Sequence, residues 1–197
     1  MYKERQIMKV LIGCEESGTV REAFKALGHD AWSCNILPSR VSGNHIQADI
    51  LTVLDDGWDL AIFHTPCTYL SNSGVRWLHE RPERWELMRK DAELFKACMN
   101  SKIPLKVMEN PIPHKYALEI IGRKYDQIIQ PWQFGHGETK ATCLWLFGLP
   151  LLQPTNIVSG REQRIWKLPP GPNRQRDRSV TFSGIAAAFA QQFGGAV

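Results

Sequence analysis

Apolar residues fall along this chain in short runs of two kinds, and the two kinds alternate. Lys9-Val10-Leu11-Ile12-Gly13 is a nearly unbroken apolar run closed by glycine, the pattern of a strand buried on both faces. Val20, Phe24 and Leu27 then recur at helical spacing and Gly28 follows them, which predicts a helix over residues 19–27. Further strands are predicted at 29–34, 45–49 and 58–65, and another at 105–108 that runs into Glu109-Asn110-Pro111. Between the last two, Trp85, Met88, Ala92, Phe95 and Met99 mark the best helix in the chain, residues 82–99, a packing element rather than a functional one. A short helix at 114–121, strands at 126–130 and 142–147, and a helix at 184–193 complete the pattern. Strands alternating with helices predict an α/β fold with a doubly wound, Rossmann-like sheet.

Composition bounds this picture. A chain of 197 residues with 43% hydrophobic content can bury one good core, so residues 1–197 are expected to form a single compact domain. The five cysteines are an odd number without C-x-x-C spacing, which argues against a disulfide framework and against a zinc site; no metal is expected. The apolar runs are shorter than a bilayer span and the first residues lack a signal-peptide core, so the expectation is a soluble, untargeted, cytoplasmic protein with no membrane partner.

The net charge of +4 is mild but uneven. Arg161, Arg164, Lys167, Arg174, Arg176 and Arg178 cluster with Pro169, Pro170 and Pro172, opposed only by Glu162 and Asp177. This basic, proline-rich segment over 160–180 is a candidate phosphate contact, and its five arginines are candidate nucleic-acid-binding residues. A solvated surface loop is the alternative reading of the same residues.

The chemistry is suggested by two strand ends. Pro66-Cys67 closes the run at 58–65, and Glu109 ends the run at 105–108. In a parallel sheet both side chains would emerge at the carboxyl edge, where such sheets bind ligands. Cysteine is usually an inert small hydrophobe. Here Pro66 fixes the backbone before the thiol, a polar loop over 68–74 follows, and a carboxylate at an apolar strand end would be costly if merely buried. A thiolate can attack C6 of a pyrimidine while a carboxylic acid holds the ring nitrogen whose protonation favours that attack. The turn Gly13-Cys14-Glu15-Glu16-Ser17-Gly18 is not G-x-G-x-x-G and is weak evidence for a nucleotide by itself. Asp49 could accept from an adenine amine or a ribose hydroxyl, or could cap the turn that follows it.

Read in order, these pieces resemble the cytosine-C5 DNA methyltransferases, which use S-adenosylmethionine (SAM). The turn at 13–18 looks like the family's SAM loop, and Ala48-Asp49-Ile50 looks like its adenine-holding element. Thr65-Pro66-Cys67-Thr68-Tyr69-Leu70-Ser71 resembles the Pro-Pro-Cys-Gln-x-x-Ser nucleophile loop, and Met108-Glu109-Asn110-Pro111 resembles the Glu-Asn-Val element. Residues 134–142 are similar to the Tyr-Gly-x-x-Gln-x-Arg-x-Arg element, and Ser183-Gly184-Ile185-Ala186 to the closing motif.

The resemblance implies a SAM-dependent methyltransferase sheet and transfer of a methyl group to C5 of cytosine in DNA through a covalent adduct of Cys67. Glu109 would hold N3 and the exocyclic amine, Asn110 would orient Glu109, Ser71 would meet the backbone phosphate, and Lys140 is the one base left in the Gln-x-Arg-x-Arg element. Gly13, Cys14, Glu15, Ser17, Gly18, Asn35, Asp49, Ile50, Pro66 and Ser183 would form the SAM site.

Some residues depart from the family. Asn35 stands where an acidic residue usually grips the ribose, a contact that could fall on Glu15 or Glu16 instead. The stretch between the strand ending at Phe147 and the last helix has no room for a target-recognition domain, so readout is expected to be short or absent, as would suit a phage enzyme evading restriction. The same C5 chemistry on a free nucleotide, a modified SAM donor, or a non-catalytic SAM- or nucleic-acid-binding protein remain as alternatives. His64, His114 and His136 are secondary candidates for proton transfer, with ordinary structural roles as the alternative. Trp132, Trp145 and Trp166 could stack on a base but suit anchoring roles better.

Overall fold

Val10, Leu11 and Ile12 are wholly buried because β1 (Lys9–Gly13) lies inside a sheet covered on both faces. The computed structural model describes residues 6–195. Parallel pairing places β1 between β2 (Asp30–Asn35) and β4 (Leu60–Phe63), with β3 (His45–Gln47) outside β2 and β5 (Leu105–Pro111) outside β4. With β6 (Gln127–Ile129) and β7 (Thr142–Phe147), the seven strands take the order β3-β2-β1-β4-β5-β7-β6. The order reverses between β1 and β4, which is the switch point where doubly wound sheets open a ligand crevice.

Alternation along the strands sorts the core into two layers. Val10, Ile12, Leu60, Ile62 and Val107 pack against α1 (Thr19–Ala26) and α7 (Ser183–Phe193). Leu11, Ala61, Phe63 and Met108 face α3 (Arg84–Met99) and α4 (Lys115–Ile121) on the other side. The fold is therefore the expected α/β, doubly wound, single-domain architecture.

The structure departs from the sequence reading in two places. The sheet is not parallel throughout, since β7 runs antiparallel to both β5 and β6. No crossover helix lies between β6 and β7, so the chain returns in the opposite direction and the strands can pair only antiparallel. Residues 160–180, to which the sequence reading assigned no helix or strand, contain α5 (Arg164–Lys167) and α6 (Arg174–Ser179). Neither helix is long enough to show an apolar period, and the prolines between them hide both from pattern reading. A further short helix, α2 (Arg76–Glu80), follows the polar loop after Cys67.

Candidate active site

β4 and β5 pair with Phe63 opposite Met108. One residue further along each strand, His64 and Glu109 stand side by side, both directed to the α1/α7 face. His64 Nδ1 lies 3.2 Å from Glu109 Oε2, with side chains 10% and 16% exposed. Burial pushes the Glu109 carboxyl up, but the hydrogen bond and charge of His64, with Lys140 beyond it, outweigh burial and hold it below the ordinary value of 4.5.

After His64 the chain turns through Thr65 and Pro66 to Cys67, and several contacts pin this loop. Leu70 and Ser71 N–H donate back to Cys67 O at 3.1 and 3.0 Å. The His114 ring accepts from Ala117 N–H, capping α4, and its other nitrogen donates to Tyr69 O at 2.8 Å. Asn110 Nδ2 donates to Thr65 O at 3.3 Å. The contact of Asn110 is thus with the Cys67 loop, and its Oδ1 is buried without a partner among the described residues.

The Cys67 thiol is coupled to the same cluster. Burial raises its pKa, the Glu109 carboxylate and Asp91 add to the rise, and Lys140 and Arg178 oppose it. Cys67, Glu109 and Lys140 are therefore within electrostatic reach of one another. Lys140 Nζ donates to Arg178 O at 3.0 Å, which joins the loop before β7 to the end of α6. Sequence reading missed Asp91, on the face of α3 beneath the loop, since it is one charge among many on an amphipathic helix. Burial pushes its carboxyl up to about 6, against a hydrogen bond with the Tyr69 backbone.

Around the β1–α1 turn most polar groups serve the chain itself. Glu15 accepts from Val20 N–H at 2.8 Å, Arg21 N–H at 3.3 Å and Ser17 Oγ at 3.0 Å, so it caps α1. Asn35 Oδ1 accepts from Leu37 N–H at 2.9 Å, and Asp49 takes its capping role by accepting from Leu51 N–H at 2.9 Å. Gly13 is demanded by packing, because a Cβ there would stand 2.4 Å from the Phe63 ring, beside Ile50. Cys14 adopts φ 61°, and burial, with the nearby Cys98 and Cys34 thiols, raises its pKa, so it is an inert turn residue. Gly18, at φ 75°, takes the left-handed conformation before α1.

Glu16 differs from Glu15. Its Oε1 accepts from Arg40 and from Arg176 Nε at 2.6 Å, while its Oε2 is buried without a partner among the described residues. It lines, with Cys14, Glu15, Ser17, His64, Ser179 and Thr181, a cavity of about 50 Å³. Nucleotide-sized ligands need pockets of roughly 300 Å³ or more. The Arg176–Glu16 pair ties α6 to the β1–α1 turn, and Ser179 and Thr181 just beyond it form part of the cavity wall.

Three further arginines of the basic segment, Arg161, Arg164 and Arg174, also bind their own chain. Arg164 pairs with buried Glu138, at 2.6 Å, and with Glu162. Arg161 lies 3.8 Å over the Trp132 ring and donates to Val158 O and Gly160 O, and Arg174 donates to Leu168 O and Trp166 O. Trp145 is buried, as expected of an anchor, but Trp166 is 64% exposed. Ser71 Oγ bonds Ser73 Oγ at 3.0 Å, in the loop beside Cys67. Ser183 starts α7 next to His136, whose Nε2 accepts from Gly184 N–H at 3.0 Å. Among the described residues no group of His, Cys, Asp or Glu could hold a metal ion, and no helix is long and apolar enough to cross a membrane.

No protein-family model and no curated protein matches this chain. Among solved structures it is similar to a prophage-encoded protein from E. coli assigned as a DNA modification methyltransferase, at 14% identity and a TM-score of 0.48 over 77% of this chain. The match covers 52% of that protein, so this chain spans about half its length.

Proposed function

We propose that the protein transfers a methyl group from SAM to C5 of cytosine in DNA, with Cys67 as nucleophile and Glu109 as the acid at N3. The observation that carries this reading is the placement of Cys67 and Glu109 just beyond the carboxyl ends of the paired β4 and β5, where Phe63 lies opposite Met108. A thiol, a carboxyl and an ammonium within electrostatic reach of one another suit addition to a pyrimidine, since the three can serve C6, N3 and O2 respectively. Burial and the neighbouring carboxylate hold the thiol protonated at rest, so attack requires its proton to leave as the sulfur–carbon bond forms.

The residues of the β1–α1 turn fit SAM in their chemistry. The turn lies at the switch point, Glu16 lines the cavity, and its buried Oε2 has no partner among the described residues. Glu16, Ser17 and the backbone of residues 13–18 would hold the adenosine portion, with Asp49 at the rim. SAM supplies a methyl group on a sulfonium, an electrophile for the carbon nucleophile made at C5. For SAM to enter, Arg176 has to release Glu16 so that residues 176–181 can withdraw.

A second reading, the same chemistry on a free cytosine nucleotide, is favoured by the internal partners of Arg161, Arg164, Arg174 and Arg176, which leave less of the basic segment for a polymer backbone. Incubation with SAM and duplex DNA, single-stranded DNA or dCMP, followed by nucleoside mass spectrometry, tests both. The expected result is 5-methylcytosine in DNA, absent with Cys67→Ala. Product from dCMP alone would select the second reading, and no C5 product from any substrate would overturn both.

A further inference from the structure

We propose that His64 is the proton-sharing partner of Glu109: imidazole and carboxyl hold one dissociable proton between Nδ1 and Oε2, and this pair, rather than Glu109 alone, exchanges protons with the target base. The proposal rests on the C5 reading and adds a residue to it.

The geometry supplies three reasons. His64 and Glu109 occupy matched places on adjacent strands, so backbone pairing, rather than side-chain flexibility, sets their 3.2 Å contact. Both are largely buried, and Glu109 sits where an isolated carboxylate would be costly, so sharing a proton is the cheaper arrangement. His64 Nε2 is buried without a partner among the described residues and borders the cavity that Ser17 and Thr181 also line. The imidazole thus links the wall of the cofactor crevice to the acid at the target base.

The other charged and titratable groups about the pair are accounted for. Lys140 reaches it from the loop before β7, Cys67 from the loop after β4, and Cys143 from β7 itself. Of the acids in the β1–α1 turn, Glu15 is committed to the α1 cap and Glu16 to Arg40 and Arg176, while Cys14 is a buried thiol. None of these is bonded to His64. The hydrogen bond from His64 is also what holds the Glu109 carboxyl below its ordinary value.

The protons balance across the addition step. The S–H bond of Cys67 breaks as its sulfur bonds to C6, and N3–H forms. The thiol proton enters the pair and another leaves it for N3, so the pair ends as it began. Within the pair the exchange breaks Nδ1–H and forms O–H on Glu109. After methyl transfer the C5–H bond breaks with its proton passing to water, and collapse of the adduct then runs the transfers in reverse: C6–S breaks, N3–H is lost and the thiol is re-formed. Histidine titrates at about 6.5, well above a lone carboxyl at about 4.3, so the pair retains a proton at a pH where Glu109 alone would have lost it.

Two measurements test this. The first is a titration of His64 by imidazole ¹⁵N NMR, which needs no turnover. Below a single midpoint Nδ1 is expected to carry the shared proton, and that midpoint to fall in Glu109→Gln. An unprotonated Nδ1, or a midpoint indifferent to Glu109→Gln, overturns the pair. The second is the pH profile of kcat for wild type, His64→Gln and His64→Asn, the last keeping an N–H near the Nδ1 position. Expected is a loss of about 10- to 100-fold at pH 7.5 with the basic limb moved to lower pH in both variants. A uniform loss with an unmoved limb, or full rescue by His64→Asn, would reduce His64 to a hydrogen-bond donor and sink the exchange role. If wild type makes no C5 product, the reaction reading has failed while the titration still decides the pair.

Discussion

Two halves of the sheet's carboxyl edge use their polar groups in opposite ways. At the β1–β3 half, Glu15 caps α1, Asn35 and Asp49 close their own turns, and Glu16 binds two arginines. At the β4–β5 half, His64 Nε2, Thr65 Oγ1 and Asn110 Oδ1 are buried without partners among the described residues, around a thiol and a carboxylate. Buried polar atoms are normally satisfied, so a cluster of orphans marks where a ligand's groups belong. The β1–β3 half is built to hold its own shape, with one spare acceptor on Glu16, and the β4–β5 half is built to meet something else.

The largest effect should come from removing the charge at the centre of the second half. Glu109→Gln is expected to slow base modification by about 10²- to 10⁴-fold. Because the carboxylate raises the Cys67 pKa, the same variant should alkylate faster at Cys67 with iodoacetamide at neutral pH. Slower alkylation would mean that thiol and carboxylate do not share a site.

In the first half, Glu15→Ala removes a helix cap and is expected to cost about 0.5–2 kcal/mol in urea unfolding. An unchanged midpoint would show that Glu15 is spare and available to a ligand, which would erase the contrast between the halves. Asp91→Asn, beneath the Cys67 loop, should act through pH. Its folded pKa of about 6 lies above the ordinary 3.8, so its contribution to stability is present below 3.8 and lost as pH rises through 6. The variant should therefore melt higher than wild type above pH 6 and equally below pH 3.8, a modest effect at a partly exposed site. Thermal melts across pH 3.5–8 check it, and a variant that melts lower at pH 8 would contradict the sign.

Arg176→Ala should change stability least. It frees one side of Glu16 and is expected to raise the association rate of S-adenosylhomocysteine, read by stopped-flow fluorescence. An unchanged rate would mean that residues 176–181 do not limit entry.

Every strand among the described residues was visible in the sequence within a few residues, and β7, whose burial on two faces writes an apolar run into the chain, was predicted at its observed bounds. The antiparallel sense of β7 was not visible, since direction depends on the connection rather than on the run. Cys67 and Glu109 were legible for a local reason: each is a reactive group where apolar residues stop. Glu15 and Glu16 were not separable, being identical neighbours that differ only in what folds against them.

The sequence by itself determined the alternation of strands and helices, the single core and the two strand ends at which Cys67 and Glu109 stand, all properties of residues close together in the chain. Only the tertiary structure decided that His64 stands against Glu109, which follows from the register of two strands, and that Arg176 closes on Glu16, 160 positions away. Periodicity reports which face of an element is buried and is silent about what lies on the other side of the contact.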